Sequence, residues 1–196
     1  MDERGETEAD LVRLLCSDLD AHFERLVILF QNRIFAFAYR LTGSGSDAEE
    51  VAQDVFLQAY RALESYDHER ISTLAVRAWL YKIALNLTRN RMRGKKLAMV
   101  SLDGDDGTTA FEVPDNVGER PEAVVERIEQ GDELTAMLTA LPERYRAAVV
   151  LRHVEGLGYN DLAAILNQPV GTVKANVHRG VALLREAWDS QISEVM

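Results

Sequence analysis

Asp161-Leu-Ala-Ala-Ile-Leu166, then Asn167-Gln168-Pro169-Val170-Gly171, then Thr172-Val-Lys-Ala-Asn-Val-His-Arg179 is the stretch that decides the fold. A short apolar helix, a turn with proline and glycine, and a second helix make a helix-turn-helix pattern. The second helix is predicted over Thr172 to about Trp188, with the Thr172 hydroxyl capping its first turn. At about 100° per residue, Val173, Val177, Val181, Leu184 and Trp188 share one side. Lys174, Ala175, His178 and Arg179 share the other. An apolar stripe can hold the helix to its own domain while small, basic or hydrogen-bonding side chains face a major groove. The bland reading, an amphipathic hairpin with a solvated basic face, fits the same pattern less specifically.

Working outward, the chain is 196 residues long, 47% hydrophobic and 28% charged, enough for one or two packed domains. Apolar spacing is helical throughout. Phe23, Leu26, Val27, Phe30, Ile34, Phe37, Ala38 and Leu41 follow an i, i+3, i+4 stripe that ends at Thr42-Gly43-Ser44-Gly45. Ser46-Asp47-Ala48-Glu49 reads as a capping box for the next helix. That helix carries Ala48, Val51, Ala52, Val55, Phe56, Ala59 and Leu63 on one face, and Glu50, Gln53, Asp54 and Arg61 on the other. A third helix from about Leu74 to Arg93 has Trp79, Leu80, Ile83, Ala84 and Leu87 as its apolar side. The expected fold is all-α: a helical bundle at residues 20–95, an acidic flexible linker at 96–120, and a helix-turn-helix domain at 121–196. Residues 1–19 form an acidic extension, with Leu11, Val12, Leu14 and Leu15 giving it a modest apolar face.

A formal net charge of −10 argues against a nucleic-acid binder only if the charge is evenly spread. It is not. Arg70 to Lys96 holds eight basic side chains and no acid, and Gln168 to Arg185 holds Lys174, Arg179 and Arg185 with none. Charge runs are usually solvated faces, but two acid-free basic stretches favour two anion-binding surfaces. The third helix adds amides and aromatics to its cations, a combination suited to unstacked bases.

The four histidines lack metal-site spacing, and no phosphate loop or nucleophile elbow is present, so no cofactor or metal is expected and an enzyme is disfavoured. The single cysteine, Cys16, excludes an internal disulfide. Its acidic setting makes a buried or incidental thiol the better reading than a redox sensor. The acidic N-terminus is unlike a signal peptide, and no apolar run is long enough to cross a bilayer, which points to the cytoplasm.

Three stretches then carry a resemblance: Asp47-Ala-Glu-Glu-Val-Ala-Gln-Asp-Val-Phe56 with Ala59-Tyr60-Arg61, Arg77-Ala-Trp-Leu-Tyr-Lys-Ile-Ala-Leu-Asn86, and Pro169-Val-Gly-Thr-Val-Lys174 with His178-Arg179. In this order the chain resembles an extracytoplasmic-function (ECF) sigma factor, a promoter-recognition subunit of bacterial RNA polymerase. The resemblance implies a region 2 that binds the clamp of the polymerase largest subunit through Asp47, Glu50, Gln53, Asp54 and Arg61. It also implies capture of melted minus-ten DNA through Lys82, Asn86, Arg89, Asn90 and Arg93. Region 4 would read duplex minus-thirty-five DNA through Thr172, Lys174, Ala175, His178 and Arg179. Core RNA polymerase, promoter DNA and an anti-sigma factor are the implied partners, with no obligate homo-oligomer. Two departures stand out: the segment Ser65 to Arg77 is longer than usual, and Ala175 replaces a frequent serine. A stand-alone helix-turn-helix regulator is the competing reading; it would bind a two-fold duplex site without polymerase.

Overall fold

The computed structural model describes residues 8–101 and 134–195, and every element among them is helical. The first unit comprises α1 (Glu8–Ser17), α2 (Leu19–Thr42), α3 (Gly45–Glu64), the single turn α4 (His68–Ser72) and α5 (Val76–Ser101). The second comprises α6 (134–140), α7 (Glu143–Val149, continuing as a π-helical turn through Val150–Val154), α8 (Tyr159–Leu166) and α9 (Val170–Val195). Most of the acidic linker expected at 96–120 lies outside the described residues.

The α2–α3 hairpin closes where the sequence breaks. Gly43 sits in the left-handed region (φ 70°) and its N–H bonds the Tyr39 carbonyl, ending α2. Ser44, not Ser46, is the cap of α3: its hydroxyl accepts from the Asp47 N–H at 3.3 Å. Sequence pattern places the capping box two residues late because Gly45 resembles part of the breaker, whereas it is the first helical residue. Asp47 therefore occupies the box's third position, but its carboxylate turns inward to Arg91 on α5, 2.6 Å away.

Leu26, Phe30, Ile34, Phe37 and Leu41 of α2 and Val51, Val55, Ala59 and Leu63 of α3 fill one core with Leu80, Ala84 and Leu85 of α5. Composition sets residues 1–19 apart as an extension, yet α1 belongs to this core. Leu11 and Leu15 are 1% exposed, and α1 packs on α2, α4 and α5. Glu8 accepts from the Arg77 N–H at 3.0 Å, supplying a partner for a first-turn donor of α5. The acidic composition masked a helix whose apolar positions 11, 12 and 15 are spaced for burial.

In the second unit α9 crosses α7 so closely that a side chain at Gly180 would meet Val149 Cγ2 at 2.5 Å and the Tyr145 carbonyl at 3.3 Å. Alanine would gain up to about 1 kcal/mol in helix propensity, against about 1–3 kcal/mol for overpacking. Gly180→Ala is therefore expected to lower the unfolding midpoint in a chemical denaturation series. Leu11→Ala is expected to cost about 2–5 kcal/mol in the same measurement, whereas a free arm would lose almost nothing.

Candidate nucleic-acid interface

The helix-turn-helix is built on a tight turn. Asn167 takes the left-handed conformation (φ 52°) and returns its N–H to the Ala163 carbonyl, and Gln168 N–H bonds the same oxygen at 3.1 Å. Asn176, buried in α9, donates to Gln168 Oε1 at 3.0 Å and so fixes the second helix to the turn. Helix α9 begins at Val170, two residues before the expected start, with Val173 N–H on the Pro169 carbonyl. Thr172 is thus a first-turn residue rather than the cap. Proline lacks an N–H but keeps its carbonyl, which is all this position requires.

Val173 and Val177 are buried, Val181 and Leu184 partly so, and Trp188 is exposed because α9 runs on past its own domain. On the other side Thr172, Lys174, His178 and Arg179 are exposed and Ala175 is half-buried. The five predicted residues therefore share one accessible face.

The structure adds neighbours that sequence spacing did not single out. Arg152 lies 4.6 Å over the Tyr159 ring, and Lys174 Nζ lies 5.5 Å over the same ring. Arg144 lies 4.6 Å over Tyr145 and donates to its hydroxyl at 2.9 Å. Hydrogen bonds from Arg144, and to a smaller extent from Arg179, hold the Tyr145 phenol below its ordinary pKa. Four cations are thus ordered by two tyrosines from three helices. The available signal was Arg-Tyr adjacency at 144–145 and an aromatic opening α8, neither of which has helical periodicity.

On α5, Lys82, Asn86, Asn90 and Arg93 are exposed along one stripe, and Trp79 sits half-buried at its N-terminal end. Trp79 packs beside Tyr66, with ring centroids 6.2 Å apart, and Arg70 covers the Tyr66 ring at 3.6 Å. The long 65–77 segment thus folds into α4 and brings a cation and an aromatic to the stripe. Arg89 differs from its neighbours: its guanidinium bonds Glu143 of the second unit at 2.8 Å.

On α3, Gln53, Asp54 and Arg61 are exposed and Leu57, between them, is 56% exposed. Sequence pattern does not single out Leu57, because an apolar residue reads as core. Asp47 is 6% exposed and, with Glu50, holds Arg91, so its charge is engaged inside the fold rather than offered to a partner.

Family models match at both ends of the chain: "Sigma-70 region 2" over residues 26–97 and "Sigma-70, region 4" over residues 131–184. The chain is 35% identical over 173 residues to the ECF RNA polymerase sigma factor SigW of Bacillus subtilis, covering 86% of this chain and 89% of that one. It is 32% identical over 178 residues to the ECF RNA polymerase sigma-E factor of Escherichia coli K12, covering 89% and 88%. Among solved structures, CnrH in complex with the cytosolic domain of CnrY superposes with a TM-score of 0.65 at 25% identity, over 93% of this chain and 97% of that one. RpoE of Bartonella quintana, solved with the anti-sigma factor NepR, gives 0.66 at 24% identity, over 85% and 96%.

Arg179→Ala is expected to raise the Tyr145 phenol pKa toward its ordinary value, because a donor to the phenolate is lost. Ultraviolet titration of tyrosinate, with Tyr145→Phe as the assignment control, measures it.

Proposed function

The chain belongs to the ECF RNA polymerase sigma factors, and from that premise we propose how its residues divide the work of promoter recognition. As a sigma factor it binds core RNA polymerase and promoter DNA and directs transcription initiation; it is not an enzyme. The observation that carries the division of labour is the pair of exposed cationic stripes, one on α5 and one on α9, each in a separate helical unit.

In region 4, α9 enters the major groove at the minus-thirty-five element. Lys174, His178 and Arg179 face base edges or phosphates, Ala175 lets the helix approach closely, and Thr172 lies beside the strand at the helix N-terminus. Arg152 and Tyr159 extend this surface to the flanking backbone. Duplex binding here needs no distortion of the bases.

In region 2, Lys82, Asn86, Asn90 and Arg93 track the melted minus-ten strand. Asn86 can hydrogen-bond an unstacked base by its edge, while the cations offset backbone charge. Sigma performs no bond chemistry in this step. Binding energy from the captured strand offsets the few kcal/mol lost on unstacking each base. Arg89 joins this stripe once Glu143 releases it.

Polymerase docking falls to α3 through Gln53, Asp54, Leu57 and Arg61, with Glu50 at the margin; Asp47 supports the face from within. An exposed leucine ringed by polar groups suits a desolvated interface anchor. The same face is proposed to be covered by a cognate anti-sigma factor when the protein is held inactive. No helix among the described residues is long and apolar enough to cross a membrane, and the cytoplasm, where polymerase acts, is the proposed location.

Reconstitution with core polymerase and promoter templates tests the scheme. Arg179→Ala should weaken minus-thirty-five-dependent initiation by about 5–150-fold, the equivalent of about 1–3 kcal/mol. Lys174→Ala should also reduce the salt dependence of DNA binding by about one charge. Asn86→Ala should slow open-complex formation and leave duplex binding unchanged. Leu57→Asp should weaken core binding at least tenfold, or about 1.4 kcal/mol. A two-fold footprint formed by the chain alone, with no core binding, would sink the proposal.

A further inference from the structure

Tyr145 is only 8% exposed, yet its hydroxyl is shared by two exposed arginines from different helices. Arg144, its neighbour in the first turn of α7, donates to the phenol oxygen at 2.9 Å and lies 4.6 Å over the ring. Arg179 donates to the same oxygen from α9, more weakly. The two helices touch at this point, where a side chain at Gly180 would meet Tyr145 Cβ at 3.2 Å. Two donors on one oxygen, each about 3 Å away, hold the donor nitrogens within about 6 Å of each other. Satisfying a buried phenol takes one donor. A second guanidinium adds repulsion between like charges, and no carboxylate offsets it. Glu143, beside Arg144 in sequence, is bonded instead to Arg89 of α5 at 2.8 Å. Among the described residues no ion pair involves Arg144 or Arg179. Each guanidinium carries several donors in a planar fork, so most remain unused once the phenol is bonded. The result is a pair of fixed cations, ordered from inside by a buried acceptor and open to solvent outside.

We propose that Arg144, Tyr145 and Arg179 form a clamp for one backbone phosphate beside the minus-thirty-five element, with Tyr145 as the positioning residue and the two arginines as the binding residues. Arg179 shares the exposed face of α9 with Lys174 and His178, so a duplex lying on that face brings a backbone phosphate past it. A phosphate met by Arg179 is then within reach of the spare donors of Arg144. A phosphodiester offers two free oxygens, which two converging forks can divide between them. Of the two roles open to Arg179, base edge or phosphate, the clamp selects phosphate and leaves the base edges to Lys174 and His178. Arg144 lies outside the helix-turn-helix itself. The clamp therefore carries the DNA-binding surface onto α7 and ties α9 to the duplex at a second point. Phosphate contacts of this kind fix register and orientation rather than sequence.

The clamp rests on the assignment of α9 as the duplex reader, and the experiment separates the two. Holoenzyme reconstituted with core polymerase is titrated with promoter duplex over a series of potassium chloride concentrations. Arg144→Ala should reduce the slope of log affinity against log salt by about one, and Arg144→Lys should restore it. Tyr145→Phe keeps the ring against Gly180 and both charges. It should leave the slope unchanged and weaken binding by about 2–10-fold, the loss expected of one hydrogen bond. That loss should vanish in an Arg144→Ala, Arg179→Ala background, where nothing is left to position, whereas a purely structural tyrosine would cost the same in both. Neutral methylphosphonates placed singly along the minus-thirty-five backbone should reveal one position that weakens wild type but not the Arg144→Ala variant. An unchanged slope for Arg144→Ala, an equal cost of Tyr145→Phe in both backgrounds, or no such phosphate would each overturn the clamp. Should thermal melting show Tyr145→Phe to be unfolded, the exposed Arg144 variants and the methylphosphonate series decide alone. If Lys174→Ala and Arg179→Ala weaken binding while Arg144→Ala does not, the clamp alone fails; if none of the three acts, the assignment of α9 fails.

Discussion

The buried guanidinium of Arg146 is the constraint on which the packing of α7 against α2 depends. A charge taken out of water calls for partners, and among the described residues no carboxylate is bonded to it. Three backbone carbonyls accept from its two terminal nitrogens, one of them at the C-terminal end of α2, while its buried Nε has no partner among the described residues. Because that carbonyl belongs to the other unit, region 4 cannot move away without rehydrating the cation. Burial accordingly lowers the Arg146 pKa from its ordinary value, opposed by the nearby Glu143 carboxylate. Apolar contact alone leaves the angle between the units open; the carbonyls of Thr139 and Leu141 hold the guanidinium in its own unit and aim its remaining donor at Leu41 of α2.

Within region 2 an ion pair has a comparable directional role. Arg91 is bound to Asp47 and Glu50, tying the start of α3 to the middle of α5. Its pKa is raised, chiefly by the hydrogen bond to Asp47. This fixes the rotation of α5 about its axis. Leu80, Ala84 and Leu85 then face the core, and Lys82, Asn86 and Asn90 must face outward. Electrostatics thus sets which residues of α5 face outward, although hydrophobic burial supplies most of the cohesion.

The sequence made the helices legible where burial is periodic. The stripe from Leu26 to Leu41 and the alternation of Val173 and Val177 with Lys174 and His178 follow from 3.6-residue geometry alone. Caps were less legible, because Ser44 and Ser46 both precede a plausible helix and only backbone geometry separates them. Similarly, Thr172 looked like a cap, but the Pro169 carbonyl begins α9. Helix α1 was obscured by composition: acids surround Leu11 and Leu15 in sequence, and the apolar pair becomes decisive only when α2 and α5 supply a surface to bury it.

Charge was the least legible property, because its meaning depends on pairing. Eight cations between Arg70 and Lys96 read as one basic surface, yet they divide by partner. Arg91 is neutralised by Asp47 and Glu50, Arg77 binds a carbonyl of region 4, and Arg89 binds Glu143. Lys82 and Arg93 remain exposed. A net charge of −10 is therefore compatible with DNA binding for a specific reason. Some acids hold cations within the fold, leaving a narrow exposed cationic stripe on α5 rather than a broad basic face. A strongly basic face would instead be captured by non-specific DNA, because phosphate contacts supply sequence-independent affinity.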